Sequence, residues 1–212
     1  MLNMNFTVPV MIDTTAQEWQ PSPMAGVLRK PLAREEKERG HATSVVCYHP
    51  GSSFRSHQHP LGEEILVLEG VFSDENGSYP AGSYFRNPPG SAHAPYSDEG
   101  CLLLVKLHQF QADDCHQVMI KSPPIWFSEH AESFPLYRFG QEQVWLVRNQ
   151  EGENTLPLFD NNVPVEIFVI SGHATYAGTT LSIGTWMREP SFDRHQWQSS
   201  ADCLFWLKVG HF

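Results

Sequence analysis

A chain of 212 residues with 41% hydrophobic and 18% charged residues is long enough to bury a core and has the composition of an ordinary globular protein. Its net charge of −10 disfavours non-specific contact with nucleic acid or anionic lipid, and no apolar run approaches the ~20 residues of a membrane helix. Four cysteines without a C-x-x-C pair argue against a zinc-finger or thioredoxin-type centre, and no signal-peptide pattern opens the chain, so a reduced cytoplasmic setting is expected.

Taken in chain order, Thr14–Trp19 reads as a single helical turn, and the mixed-sign run at 34–39 as a solvated face. Cys47 lies in an apolar run and is expected to be buried, as are Cys101 and Cys203, whereas Cys115 beside Asp114 and His116 is expected to be exposed. His57 and His59 stand two apart, so in a strand they point to one face. Glu63 follows them after a Pro-Leu-Gly turn, and His93 comes after the segment Gly82–Gly90. Three imidazoles and one carboxylate form a shell for one divalent transition ion, zinc or iron first and manganese or nickel next, with copper also compatible.

Glu64 follows Glu63 and is expected to face the other way, in a structural role. Asp74–Gly77 reads as a tight turn between strands. Tyr84 and Arg86 share strand parity and are candidates for lining a substrate site, Arg86 for an anionic group. The competing readings are aromatic core for Tyr84 and pairing with Glu64 or Asp98 for Arg86. His41, His49, His108 and His211 fall outside the motif and read as surface or satisfied histidines. A linker is expected near 111–122 and a further helical turn at Glu129–Ser133.

An internal repeat organises the whole. Glu64 and Glu166, Gly82 and Gly184, His93 and His195, and Cys101 and Cys203 are each 102 positions apart, within matching apolar runs. The chain therefore reads as two copies of one β-rich unit. The same offset carries His57 to Phe159, His59 to Asn161 and Glu63 to Val165, so the second copy keeps only His195 of the ligand set. Phe159 and Val165 are expected to fill the vacated interior. A ligand pocket lined by Trp145, Phe159, Phe168, Trp186 and Trp206 is the alternative.

The spacing from Gly51 through His57, His59 and Glu63 to Gly70, followed by Gly82, Pro88, Gly90 and His93, resembles the two-part cupin signature. Ser97 departs from it where Asn is usual. Gly62–Gly70, Phe72–Tyr79, Gly82–Arg86 and Gly90–His93 are similar to the ChrR-type cupin family over roughly residues 25–108. Together with the repeat, that resemblance implies an all-β fold of two tandem cupin double-stranded β-helix (jelly-roll) barrels, a metal-binding domain over 1–115 and a degenerate domain over 116–212. It implies either a metal-dependent dioxygenase-like enzyme acting on a small diketone or aromatic ketone, or a stand-alone metal- or ligand-binding stress sensor; a storage role is a third reading. The expected partner is a small molecule, not nucleic acid or membrane, and both a monomer and a homodimer are open. A sigma factor is not expected, because the first 25 residues cannot supply the helical zinc domain of the family's anti-sigma members.

Overall fold

The computed structural model describes residues 1–36, 40–150, 155–199 and 202–212, so the end of the mixed-charge run, 37–39, lies outside the described residues. Strands dominate, and the helical elements described are 3-10 turns at Thr14–Ala16, Pro124–Trp126 and Arg194–Gln196. The first of these matches the expected turn. Glu129–Ser133 does not form the other, because Glu132–Phe139 is a strand that pairs with Glu142–Asn149.

Two compact units divide the chain. The first comprises Met1–Met4 and Glu18–Pro123, the second Asn5–Gln17 and Pro124–Phe212. The first unit runs on to Pro123, since Val118–Ile120 pairs with Tyr84–Arg86 and closes an edge of its sheet.

In the first unit, antiparallel strands run in the order Val118–Ile120, Tyr84–Asn87, Glu63–Asp74, Cys101–Leu107, Ala42–Tyr48, Val27–Arg34 and Gln20–Pro21. A separate ribbon pairs His57–His59 with Ser91–His93. Side chains alternate between faces along each strand. One face gathers Val27, Val46, Ile65, Val67, Phe85 and Leu103 into a core with Tyr48, Phe72 and Tyr79. A bulge between Pro31 and Ala33 shifts the register, so that Arg29 and Arg34, five apart, reach the same cavity. The Asp74–Gly77 turn joins Glu63–Asp74 to Gly77–Pro80, as its sequence requires.

The second unit has a six-stranded sheet in the order Val10–Asp13, Thr185–Phe192, Val163–Ser171, Cys203–Val209, Glu142–Asn149 and Glu132–Phe139, and a three-stranded one. The repeat is visible in its register: Glu166 lies opposite both Arg188 and Lys208, as Glu64 lies opposite Arg86 and Lys106. Phe159 and Val165 join its buried core with Phe192, Trp197 and Phe205, while Asn161 and His195 are exposed. Residues at the former ligand positions are thus packing groups or surface groups. Trp186, Trp206 and Phe168 are buried as core.

Candidate metal centre

The ribbon sets the ligand geometry. His57 pairs directly with His93, and His59 with Ser91, so all three imidazoles lie on adjacent positions of one two-stranded element. Their ring centroids are 5.0 Å (His57–His59), 5.1 Å (His57–His93) and 4.7 Å (His59–His93) apart. Gly62, at φ +82°, turns the chain from the ribbon into Glu63–Asp74, and a Cβ there would collide with the Phe110 ring. Glu63 is thereby delivered with its Oε2 at 3.2 Å from His59 Nε2 and 3.4 Å from His93 Nε2. One donor atom from each of His57, His59, Glu63 and His93 lies within 4.8 Å of the others, and among the described residues this is the one such group.

The opposite ring nitrogens are occupied. His57 Nδ1 lies 3.0 Å from the Arg55 carbonyl, His59 Nδ1 3.1 Å from Ser91 Oγ, and His93 Nδ1 3.6 Å from Asp74. Asn87 Nδ2 donates to Glu63 Oε2 at 3.1 Å. These contacts orient the rings, as outer partners of metal-binding histidines do. The spacing rules alone did not point to any of them, since they depend on which strands become neighbours.

The His59 and His93 Nε2 atoms are buried and form no hydrogen bond among the described residues, despite their closeness to Glu63. Burial, followed by the neighbouring imidazoles of His93 and His57, pushes His59 down to about 3. Burial likewise lowers His93, with His57 next in effect. Burial pushes Glu63 up to about 7, against the Asn87 hydrogen bond. The short His–Glu contacts are therefore not ion pairs: burial favours neutral imidazoles at His59 and His93, whose lone pairs suit them as ligands. Donors ~2.1 Å from a tetrahedral ion stand about 3.4 Å apart, close to the two distances seen here. The residues fit a divalent ion.

The cluster lines a cavity of about 600 Å³ that lies wholly within the first unit. Its wall is largely apolar, with Val46, Phe54, Ile65, Phe72 and Leu103, and it also includes Arg29, Arg34, Glu36 and His108.

Tyr84 and Arg86 are not part of this cavity. Glu63 pairs with Asn87 and Glu64 with Arg86, so Arg86 shares the face of Glu64, opposite the ligands. Arg86 is fully buried, bonded to Glu64 at 3.1 Å and Asp114 at 2.7 Å, and lies over the Phe110 ring. Tyr84 donates to Glu64 at 2.8 Å. Neither side chain lines the cavity that the ligand cluster faces. Arg86 takes the pairing alternative, but with Asp114 in place of Asp98. His211 Nε2 lies 2.9 Å from Glu166 Oε1. Cys101 and Cys203 are buried and Cys115 exposed, as expected, while Cys47 is only half-buried.

Residues 7–111 match the model of the ChrR cupin-like domain. No curated protein matches the chain. Among solved structures, it is similar to a Nostoc punctiforme protein provisionally named a dioxygenase (17% identity, TM-score 0.73, covering 96% of this chain and 82% of that one). It is also similar to a bacterial pirin from Escherichia coli in complex with nickel(II) (12% identity, TM-score 0.73, covering 95% and 98%). A variant of the salicylate 1,2-dioxygenase of Pseudoaminobacter salicylatoxidans matches at 11% identity and TM-score 0.57, covering 80% and 71%. At these identities the likeness shows the fold, which is that of cupin jelly rolls.

Proposed function

Because residues 7–111 of this chain belong to the ChrR cupin-like domain family, we propose that the protein is a metal-dependent, dioxygenase-like enzyme acting on a small diketone or aromatic ketone. The observation that carries this reading is the donor cluster of His57, His59, Glu63 and His93 on the wall of a cavity whose remaining surface is largely apolar. A bound divalent ion, zinc or iron first and manganese or nickel next, would supply Lewis acidity toward a carbonyl or, as iron, a partner for O₂. The chain's own part is to hold and insulate. Three neutral imidazoles and one carboxylate leave part of the ion's charge to act on a ligand. Asn87 fixes the carboxylate oxygen. Phe54, Phe72 and Leu103 exclude water and receive the hydrocarbon body.

The reading includes two tandem cupin barrels in a bicupin. The first, over 1–115 in sequence terms, binds the metal; the second, over 116–212, keeps the fold without the site. The matching register of the Glu64/Arg86 and Glu166/Arg188 pairs supports it. It also includes a cytoplasmic setting, which suits four free cysteines. No helix among the described residues is long and apolar enough to cross a membrane.

The test is oxygen uptake by zinc-, iron(II)-, manganese- and nickel-loaded protein with a panel of β-diketones and hydroxyketones. Consumption of O₂ with product formation by at least one form is expected. No turnover by any form would overturn the enzymatic reading in favour of a ligand-binding sensor.

A further inference from the structure

Tyr48 is one of several polar groups on the cavity wall outside the ligand cluster, with Arg29, Arg34, Glu36 and His108. Tyr48 ends the strand Ala42–Tyr48, is 6% exposed, and lines the cavity, as do Ala42 and Val46 on the same strand face. Its ring lies 5.9 Å from Phe54 and 6.0 Å from Phe72. Those rings in turn lie 5.7 Å from His57 and 5.9 Å from His93. A single aromatic ring therefore separates Tyr48 from each of two candidate metal ligands.

The hydroxyl forms no hydrogen bond among the described residues. Other buried tyrosines behave differently: Tyr84 donates to Glu64, Tyr79 to Asp74, and Tyr176 accepts from the Asp193 amide. A phenol hydroxyl without a protein partner on a cavity wall is left to bond whatever the cavity holds. Burial, with Glu63 next in effect, raises the phenol well above its ordinary value, so it remains a donor at working pH.

We infer that Tyr48 is a ligand-binding residue, donating a hydrogen bond to an accepting oxygen, carbonyl or oxyanion, on a compact and otherwise apolar molecule held in the cavity beside the His57, His59, Glu63 and His93 cluster. This inference rests on the cavity being the substrate site proposed above. It adds, beside the ion, a second group that separates a ketone from a hydrocarbon of equal shape. A site built around such a donor rejects an analogue that lacks the acceptor, since the donor is then left unpaired. Arg29 also lines the cavity and acts electrostatically on the phenol, while engaging other groups of the protein.

The experiment titrates the zinc-loaded full chain calorimetrically with acetophenone and with ethylbenzene, which share an aromatic body and differ in the carbonyl. The native protein is expected to prefer acetophenone by about tenfold or more. Tyr48→Phe removes one oxygen and keeps the ring. It is expected to weaken acetophenone about five- to tenfold, the loss of one hydrogen bond, and to leave ethylbenzene and zinc content unchanged. Equal acetophenone affinity in the two proteins overturns the inference and leaves the metal centre standing. So does a zinc-loaded native protein that binds neither probe or does not discriminate between them. A native protein that binds no zinc overturns the metal reading and this inference with it. If Tyr48→Phe does not fold, as judged by its thermal transition, Tyr48→Met takes its place with the same expected loss of acetophenone affinity, since the bound ion alone would favour a carbonyl in the native protein.

Discussion

Ser91 holds His59. The two residues face one another across the His57–His59 and Ser91–His93 ribbon, and the serine hydroxyl lies 3.1 Å from His59 Nδ1. That contact turns Nε2 toward the Glu63 carboxylate, at 3.2 Å. Ser91→Ala is therefore expected to weaken divalent-metal affinity about 10- to 100-fold, the usual effect of losing such an orienting partner. Competition with a chromogenic chelator measures it. An unchanged affinity would show that the ring is held by packing alone.

Metal analysis of the purified chain is expected to give one equivalent, since among the described residues one donor group exists. The double change His57→Ala with His59→Ala should abolish binding. Chelation should lower the melting temperature without loss of β-sheet circular dichroism at room temperature. The first unit has its own apolar core, so the ion adds to its stability rather than creating it. At a free-metal concentration of 100 Kd the linkage gain is about 2.7 kcal/mol. Collapse of the sheet signal on chelation would refute this.

Arg86→Met is expected to act on stability and not on ligand binding. It leaves the buried carboxylates of Glu64 and Asp114 without the guanidinium that bridges them. Breaking such a buried pair costs about 3–5 kcal/mol. Chemical denaturation should register that loss, while metal affinity of the folded fraction stays within about twofold on a per-site basis. A fully stable variant with weakened ligand binding would return Arg86 to the substrate site.

The thiols should separate by exposure and protonation. Burial pushes Cys203 up to about 12 and Cys101 up to about 11, and also raises Cys47. The thiolate is the reacting form, so raised values slow alkylation at pH 8, and the rate climbs as pH rises toward them. Disulfide-exchange titration of native protein at pH 8 should give one fast equivalent from the exposed Cys115, a slower Cys47, and Cys101 and Cys203 only on unfolding. Four fast equivalents would contradict the burial described.

Much of the candidate site was legible in the sequence because its logic is local. His57 and His59 share a face by strand parity, and a turn too short to stray returns the chain at Glu63. The second unit's loss of ligands followed from a constant offset. What was not legible depends on register between strands distant in the chain. Placing Arg86 opposite Glu64 rather than Glu63 decides which face it occupies, and that pairing is written in neither segment alone. The same register would have identified Asn87 as the partner of Glu63. Tyr48 escaped for another reason: an aromatic in an alternating strand reads as core, and only the missing partner of its hydroxyl sets it apart. Glu132–Phe139 was misread at its start because a strand is fixed by its neighbour, here Glu142–Asn149, rather than by its own composition.

The strand Val10–Asp13 belongs to the second unit and pairs with Thr185–Arg188, although residues Glu18–Pro123 of the first unit intervene. During synthesis this strand leaves the ribosome long before its partner exists. The first unit has its sequence complete at Pro123, whereas the second must wait until Thr185–Phe192 has emerged before its sheet can take in the early segment. Such a long closure is slow, and until it happens the strand offers an open edge to other chains. A fragment beginning at Pro124 would carry that defect permanently, with Thr185–Phe192 left as an unpaired edge. The second unit is therefore no portable module, and removing the first 17 residues should injure the half of the protein farthest from them in sequence.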